Sequence, residues 1–134
     1  MRVTGPGFSF SAPAGWAVHR VGNRTSAVHG PELVQVATFP LQRPYSNRLF
    51  RRVEPELAVR MQAVARETGG RLSPGRTVRV AGVRSHSYRV AGSEHVDEYT
   101  FLLRGRREFQ LLCRRRASSS DEVCRRLVST FRLS

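Results

Sequence analysis

Lysine is absent from this 134-residue chain, and carboxylates are scarce. All 23 basic residues are arginine, set against 10 acidic ones, for a formal net charge of +13. Exchanging lysine for arginine leaves charge unchanged, so the excess follows from the shortage of acids. The arginines are spread along the chain rather than stacked on one helix, which weakens a nucleic-acid reading built on charge alone. No run of about 18 apolar residues exists, which excludes a bilayer-spanning helix. The opening Met-Arg-Val-Thr-Gly-Pro-Gly lacks the apolar stretch of a secretory signal. That fits either a cytoplasmic protein or a mature form whose signal has been removed.

Sites for chemistry are equally thin. Two cysteines form no C-x-x-C, and His19, His29, His86 and His95 show no H-x-x-x-H spacing, so common zinc patterns are missing. His95 and Asp97 share a strand face and could make a weak surface metal site, against the ordinary reading of partly exposed strand histidines. There is no Gly-x-Ser-x-Gly elbow, and Ser118-Ser119-Ser120 before Asp121 read as helix capping. Asp97, Glu98 and Glu108 show no pattern of an acid–base pair, and Glu98 and Glu108 read as cross-strand partners for Arg104, Arg106 and Arg107. No catalytic residue, metal ligand or cofactor site is nominated, and the chain is expected not to be an enzyme.

What is present points to a fold. Forty per cent apolar and a quarter charged residues suit one domain, 1–134, burying roughly two-thirds of the surface its unfolded form exposes. Phe8–Ser11 and Trp16–Val21 alternate apolar with polar, the two-residue period of strands, with Pro13-Ala14-Gly15 as the turn between them. Residues 32–39 give another strand and 40–53 a loop. Glu54-Pro55 opens a first helix, since proline is tolerated in a first turn; Leu57, Met61, Val64 and Ala65 form its stripe, and Gly69-Gly70 ends it. Strands follow at 77–81, 83–90, 95–103 and 107–114, with Arg104-Gly105-Arg106 as a tight hairpin. Ser119-x-x-Glu122 predicts a capping box for a second helix bearing Cys124, Leu127, Val128 and Phe131. Short turns between successive strands imply antiparallel pairing. The expected class is α+β: an α/β/α sandwich, a twisted antiparallel sheet of about six to seven strands with one helix per face.

Three segments carry a family pattern. They are Phe8-x-Phe10-x-x-Pro13-x-Gly15-Trp16, the meander Val80-Ala-Gly82 … Tyr88 … Glu98-Tyr-Thr-Phe101 … Gly105 … Phe109, and Cys113 … Cys124 … Leu127-Val-Ser129-Thr-Phe131. Together they resemble the superfamily of PsbP-like extrinsic photosystem subunits and the Ran-binding nuclear import factor, with its small bacterial DcrB-like and LpqN-like proteins. The resemblance implies a non-enzymatic binding or accessory domain. It transfers no site residue, because fold alone does not fix function.

If Phe109, Leu111 and Cys113 face the helix carrying Cys124, Cys113 and Cys124 can join in a disulfide; otherwise they are two reduced, buried thiols. The bridge would favour an exported or cell-envelope setting, and free thiols a cytoplasmic one. Two arginine clusters, Arg48, Arg51 and Arg52 and then Arg104, Arg106 and Arg107 with Arg114-Arg115-Arg116 at the other end of the same strand, are either a solvated charged rim or candidates for gripping anions through forked hydrogen bonds; Arg48, Arg51, Arg52, Arg104, Arg106 and Arg107 are the nominated residues. Trp16 reads as core, or as an interaction anchor if its indole is exposed. The sequence thus suggests a binding module meeting a protein partner or an anionic surface through loop 40–53 and the sheet rim. Its rival is an arginine-rich binder of polyanions or nucleic acid.

Overall fold

The computed structural model describes residues 1–134, apart from the side chain of Asn47. Eleven strands and two helices follow in the order β1 (Arg2–Gly5), β2 (Phe8–Ser11), β3 (Ala17–Val21), β4 (Arg24–His29), β5 (Glu32–Pro40), α1 (Asn47–Thr68), β6 (Arg71–Leu72), β7 (Arg76–Val80), β8 (Val83–Ala91), β9 (His95–Arg104), β10 (Arg107–Arg116), α2 (Glu122–Thr130) and β11 (Arg132–Leu133). They make two sheets. The larger has eight strands in the order β3-β4-β5-β10-β9-β8-β6, with β7 also paired to β8; the smaller is β1-β2-β11. Every pairing is antiparallel.

This corrects the expected sandwich. The strands do not gather into one sheet of six or seven with a helix on each face; a second sheet takes much of one layer. The reason lies in Phe8 and Phe10. They were expected to pair with the strand after Gly15, yet β2 pairs with β1 and with β11 at the far end of the chain. Between Ala12 and Trp16 the chain crosses from the small sheet to the large one, with Ala12 fully buried at the crossing. Phe8, Phe109 and Phe131 then meet with ring centroids 5.8–6.1 Å apart, joining the two sheets through three aromatic rings. Burying one such side chain stabilises by about 1.5–3 kcal/mol.

The large sheet divides its side chains by the period of two. Leu102, Phe109, Leu111, Cys113, Val34 and Val36 face the small sheet and α2 and form the main core. From the opposite face Tyr88, Val90 and Phe101 meet Leu57, Met61 and Ala65 of α1. The helix α1 begins at Asn47, well before the expected Glu54-Pro55, so Pro55 lies inside it. Phe50 and Val53 continue the stripe of Leu57 and Met61 backwards, and their packing outweighs the backbone bond that proline forfeits. Gly69 ends the helix in the left-handed region, φ 70°.

Two smaller corrections follow. The strand β4 was not foreseen, because its buried residues Thr25 and Ala27 are small and partly polar. The capping box does not form either: Asp121 occupies the cap position without a side-chain bond and instead holds Arg125 at 3.0 Å.

The two cysteines do join. Cys113 on β10 and Cys124 on α2 form a disulfide with their Cα atoms 5.4 Å apart. Both are almost fully buried beside Leu111 and Leu127. The bridge closes a loop of about a dozen residues, which the chain-entropy argument values at about 3 kcal/mol. The double variant Cys113→Ala/Cys124→Ala is therefore expected to lose about 2–4 kcal/mol in urea unfolding, with the folded circular-dichroism spectrum kept.

Two tyrosines contribute to stability at alkaline pH. Burial raises the Tyr88 and Tyr99 phenols above their ordinary value of 10.0, with help from Glu54 and Asp97 respectively; Arg114 works the other way on Tyr99. A group with a raised folded pKa contributes stability that is intact below its unfolded pKa and fades as pH rises towards the folded one. Unfolding free energy should thus fall above pH 10, and Tyr88→Phe/Tyr99→Phe should flatten that fall in pH-dependent urea titrations.

Candidate functional site

One end of the large sheet gathers arginine. Two hairpin turns lie there, the β7–β8 turn at Ala81-Gly82 and the β9–β10 turn at Gly105-Arg106. Register places Arg79 directly opposite Arg84 in the first hairpin and Arg104 directly opposite Arg107 in the second. Like charges facing each other across a pair of strands destabilise it. The fold tolerates both, each beside a tight turn. In the first turn Ala81 itself takes a positive φ of 52°, a conformation glycine or asparagine adopts more easily.

Local contacts absorb part of the repulsion. Arg79 donates through Nη1 to the Gly82 carbonyl at 2.9 Å. Arg84 lays its guanidinium over the Phe50 ring, 4.1 Å from the centroid, while Phe50 stacks on His86 at 4.0 Å. His86 Nε2 lies 2.7 Å from the Phe50 carbonyl oxygen, so that histidine is fixed in the core. No such contact ties Arg104 and Arg107 to one another's neighbours, and both stay exposed above a hollow floored by Phe109 and Leu133.

The segment before α1 completes the site. The backbone N–H of Leu41 donates to the Arg106 carbonyl at 2.8 Å and that of Tyr45 to the Gly105 carbonyl at 2.6 Å. Arg106 in turn donates to the Gln42 carbonyl at 3.4 Å. These bonds lock residues 41–46 onto the β9–β10 turn and carry Arg43, and the start of α1 with Arg48, to the same end. Tyr45 lies in an open hollow of about 420 Å³ with Arg79, Gly82, Val83 and Arg84. Burial raises its phenol pKa against a smaller pull from Arg84.

The two sequence-nominated clusters are therefore neighbours in space, without forming one flat patch. Arg104 and Arg107 project towards the small sheet, Arg106 lies on the turn, and Arg48, Arg51 and Arg52 line the exposed start of α1. The nearby carboxylate Glu108 is engaged by Arg60 at 3.7 Å and by the Gln110 amide at 3.0 Å. At the opposite end lie Glu32 at the start of β5, Glu94 between β8 and β9, and Asp121 and Glu122 at the start of α2. Sequence reasoning missed Arg43, Tyr45, Arg79 and Arg84. The available signal was Arg-Val-Ala-Gly-Val-Arg, a two-residue turn whose flanking strands must set arginine against arginine.

The remaining candidates have ordinary partners. Asp97, the acidic member of the His95 pair, receives a forked bond from Arg114, with Nε–Oδ1 at 2.8 Å and Nη2–Oδ2 at 3.0 Å. Glu98 takes Arg89 at 3.5 Å and Arg115 at 3.3 Å. Trp16 is partly buried against the core and stacks on His29 at 5.6 Å. Among the described residues no group of three metal-ligating side chains comes together.

No family model matches the chain, and no curated protein does. A solved structure from Bacteroides thetaiotaomicron, determined at 1.50 Å resolution, matches 99% of this chain with a TM-score of 0.66 at 10% sequence identity. This chain spans 48% of that one's length. At so low an identity the likeness concerns the fold alone.

Replacing one member of a facing arginine pair by glutamate turns repulsion into attraction. Arg104→Glu is expected to raise stability by about 0.5–1 kcal/mol in urea unfolding, the sign opposite to that of most substitutions.

Proposed function

We propose that this chain is a non-enzymatic binding module that docks through its arginine-bearing end onto an anionic surface of the cell envelope. The observation that carries the reading is the arginine-bearing end itself: two like-charge pairs, Arg79 with Arg84 on the face that carries α1 and Arg104 with Arg107 on the face of the small sheet, flank two turns at the same end of the large sheet. A fold gains nothing from such pairs on its own, whereas a negatively charged partner compensates both. Arg43, Arg48 and Arg106 join them from the adjoining segment.

The disulfide supports an exported setting, since such bridges persist in oxidising compartments. Among the described residues no helix is long and apolar enough to cross a membrane, and the reading is one of contact at the headgroups. Headgroups suit the site better than single-stranded nucleic acid does. Binding of unpaired bases relies on exposed aromatic faces beside the cations, and here only Tyr45 is nearby, half-buried. Within this reading the chain works as an accessory domain of the PsbP-like type, a resemblance carried by the sequence pattern.

Each arginine near an anionic leaflet contributes about 1 kcal/mol. The triple variant Arg104→Ala/Arg106→Ala/Arg107→Ala should therefore lose on the order of a hundredfold in partitioning onto phosphatidylglycerol-containing vesicles. Arg66→Ala/Arg71→Ala/Arg116→Ala, equal in charge removed but remote from this end, should lose far less. Binding should weaken with added salt and vanish on pure phosphatidylcholine. Equal losses from the two triples would overturn the site. Tight duplex DNA binding with no preference for anionic vesicles would instead favour the polyanion rival.

A further inference from the structure

A second concavity lies beneath α2 and reaches the arginine-bearing end at Arg79. Between α2 and strands β7, β8 and β9 opens a cleft of about 380 Å³. Its floor is aliphatic: Val78, Leu111, Leu127 and Val128, with the Cys113–Cys124 bridge closing one wall. No aromatic side chain lines it.

Polar groups are set into this apolar floor. Ser87 and Thr100 lie side by side on β8 and β9, 7% and 3% exposed, and both line the cleft. Neither hydroxyl is engaged by a protein group. Both hydroxyls open into the cleft rather than being sealed in without a partner, which puts them within reach of a ligand oxygen. Arg89 repeats the pattern more strongly. Its Nε is buried and has no hydrogen-bond partner, and its Nη2 reaches Glu98 at only 3.5 Å. Glu98 is shared, because its other oxygen receives Arg115 at 3.3 Å. Arg125 is held by Asp121 at 3.0 Å. Arg76 stands exposed at the mouth with no carboxylate against it.

We infer that this cleft binds a small amphipathic carboxylate with an unbranched alkyl body. The head lies between Arg76 and Arg89 and within reach of the Ser87 and Thr100 hydroxyls. The chain runs over Val78, Leu111, Leu127 and Val128. Charge decides for an anion: Arg76 is free, Arg79 is bound only to the Gly82 carbonyl and Arg89 is half-compensated, while the Glu98 and Asp121 carboxylates in the same lining disfavour a second negative charge on the ligand. Shape and lining decide for alkyl over aryl, since the wall is aliphatic and the volume falls at the small end of the range for ligand pockets. The site shares Arg79 with the arginine-bearing end but does not depend on the docking reading.

The test is isothermal titration of the oxidised full chain with octanoate, backed by amide chemical shifts. Acetate serves as the head-only control and octanol as the chain-only control. Octanoate should bind saturably at one site, shifting Ser87, Thr100 and Leu127, with each control weaker by about tenfold or more. Arg76→Ala, which removes an exposed and unpaired side chain, should weaken octanoate by about tenfold. Val128→Phe, which fills the floor, should abolish binding while vesicle partitioning stays unchanged. Three results would overturn the proposal: no saturable binding, octanol binding as well as octanoate, or octanoate affinity untouched by Arg76→Ala.

Discussion

The strand β10 is where this molecule is held together. Its residues Phe109, Leu111 and Cys113 form the inner wall of the main core, and one of them is covalently tied to α2. Its two flanks pair over nearly their whole length with β5 on one side and β9 on the other. Everything else is placed relative to it. The small sheet docks by pressing Phe8 and Phe131 onto Phe109, and α1 reaches the opposite face through the neighbouring β8 and β9. A loss of alternation in β10 would uncouple both layers at once, because the odd positions carry the core and the even ones Glu108, Gln110 and Arg114.

The same strand explains why charge ends up where it does. A hairpin with a two-residue turn fixes which residues oppose one another, so the arginines flanking Gly105 cannot avoid each other without a slip in register. Such a slip would send Phe109, Leu111 and Cys113 to the wrong face. Hydrophobic burial, worth several kcal/mol, therefore outweighs a repulsion worth a few tenths to about one. The sheet thus keeps an electrostatically uncomfortable end that an outside anion can relieve.

Local pattern made parts of this legible. Alternation in β9 and β10, the stripe of α2 and the meeting of Cys113 with Cys124 were all readable, because each is decided by neighbours close in sequence. The second sheet was not, since β2 finds β11 more than a hundred residues away through a pairing only two residues long. The start of α1 was misread because Pro55 looks like a beginning, while Phe50 gains its burial from His86 and Arg84, thirty-odd positions on. At the arginine-bearing end Arg48, Arg51, Arg52, Arg104, Arg106 and Arg107 were nameable, but their adjacency rests on backbone bonds from Leu41 and Tyr45 that leave no mark in side-chain chemistry. The hydroxyls of Ser87 and Thr100 looked like ordinary strand positions, and only the register that sets them side by side beneath α2 gives them a shared role.

The flanks of the large sheet carry a consequence for crowding. On one side β8 is shared by β6 and β7, two short pieces separated at Ser73–Gly75. On the other, β3 is five residues long, and Arg20 turns aside from it to hold the Thr4 carbonyl of the small sheet at 2.9 Å. Neither margin offers another chain a long, bare row of peptide groups. Copies brought side by side can therefore stand close without zipping together through the margins of the large sheet.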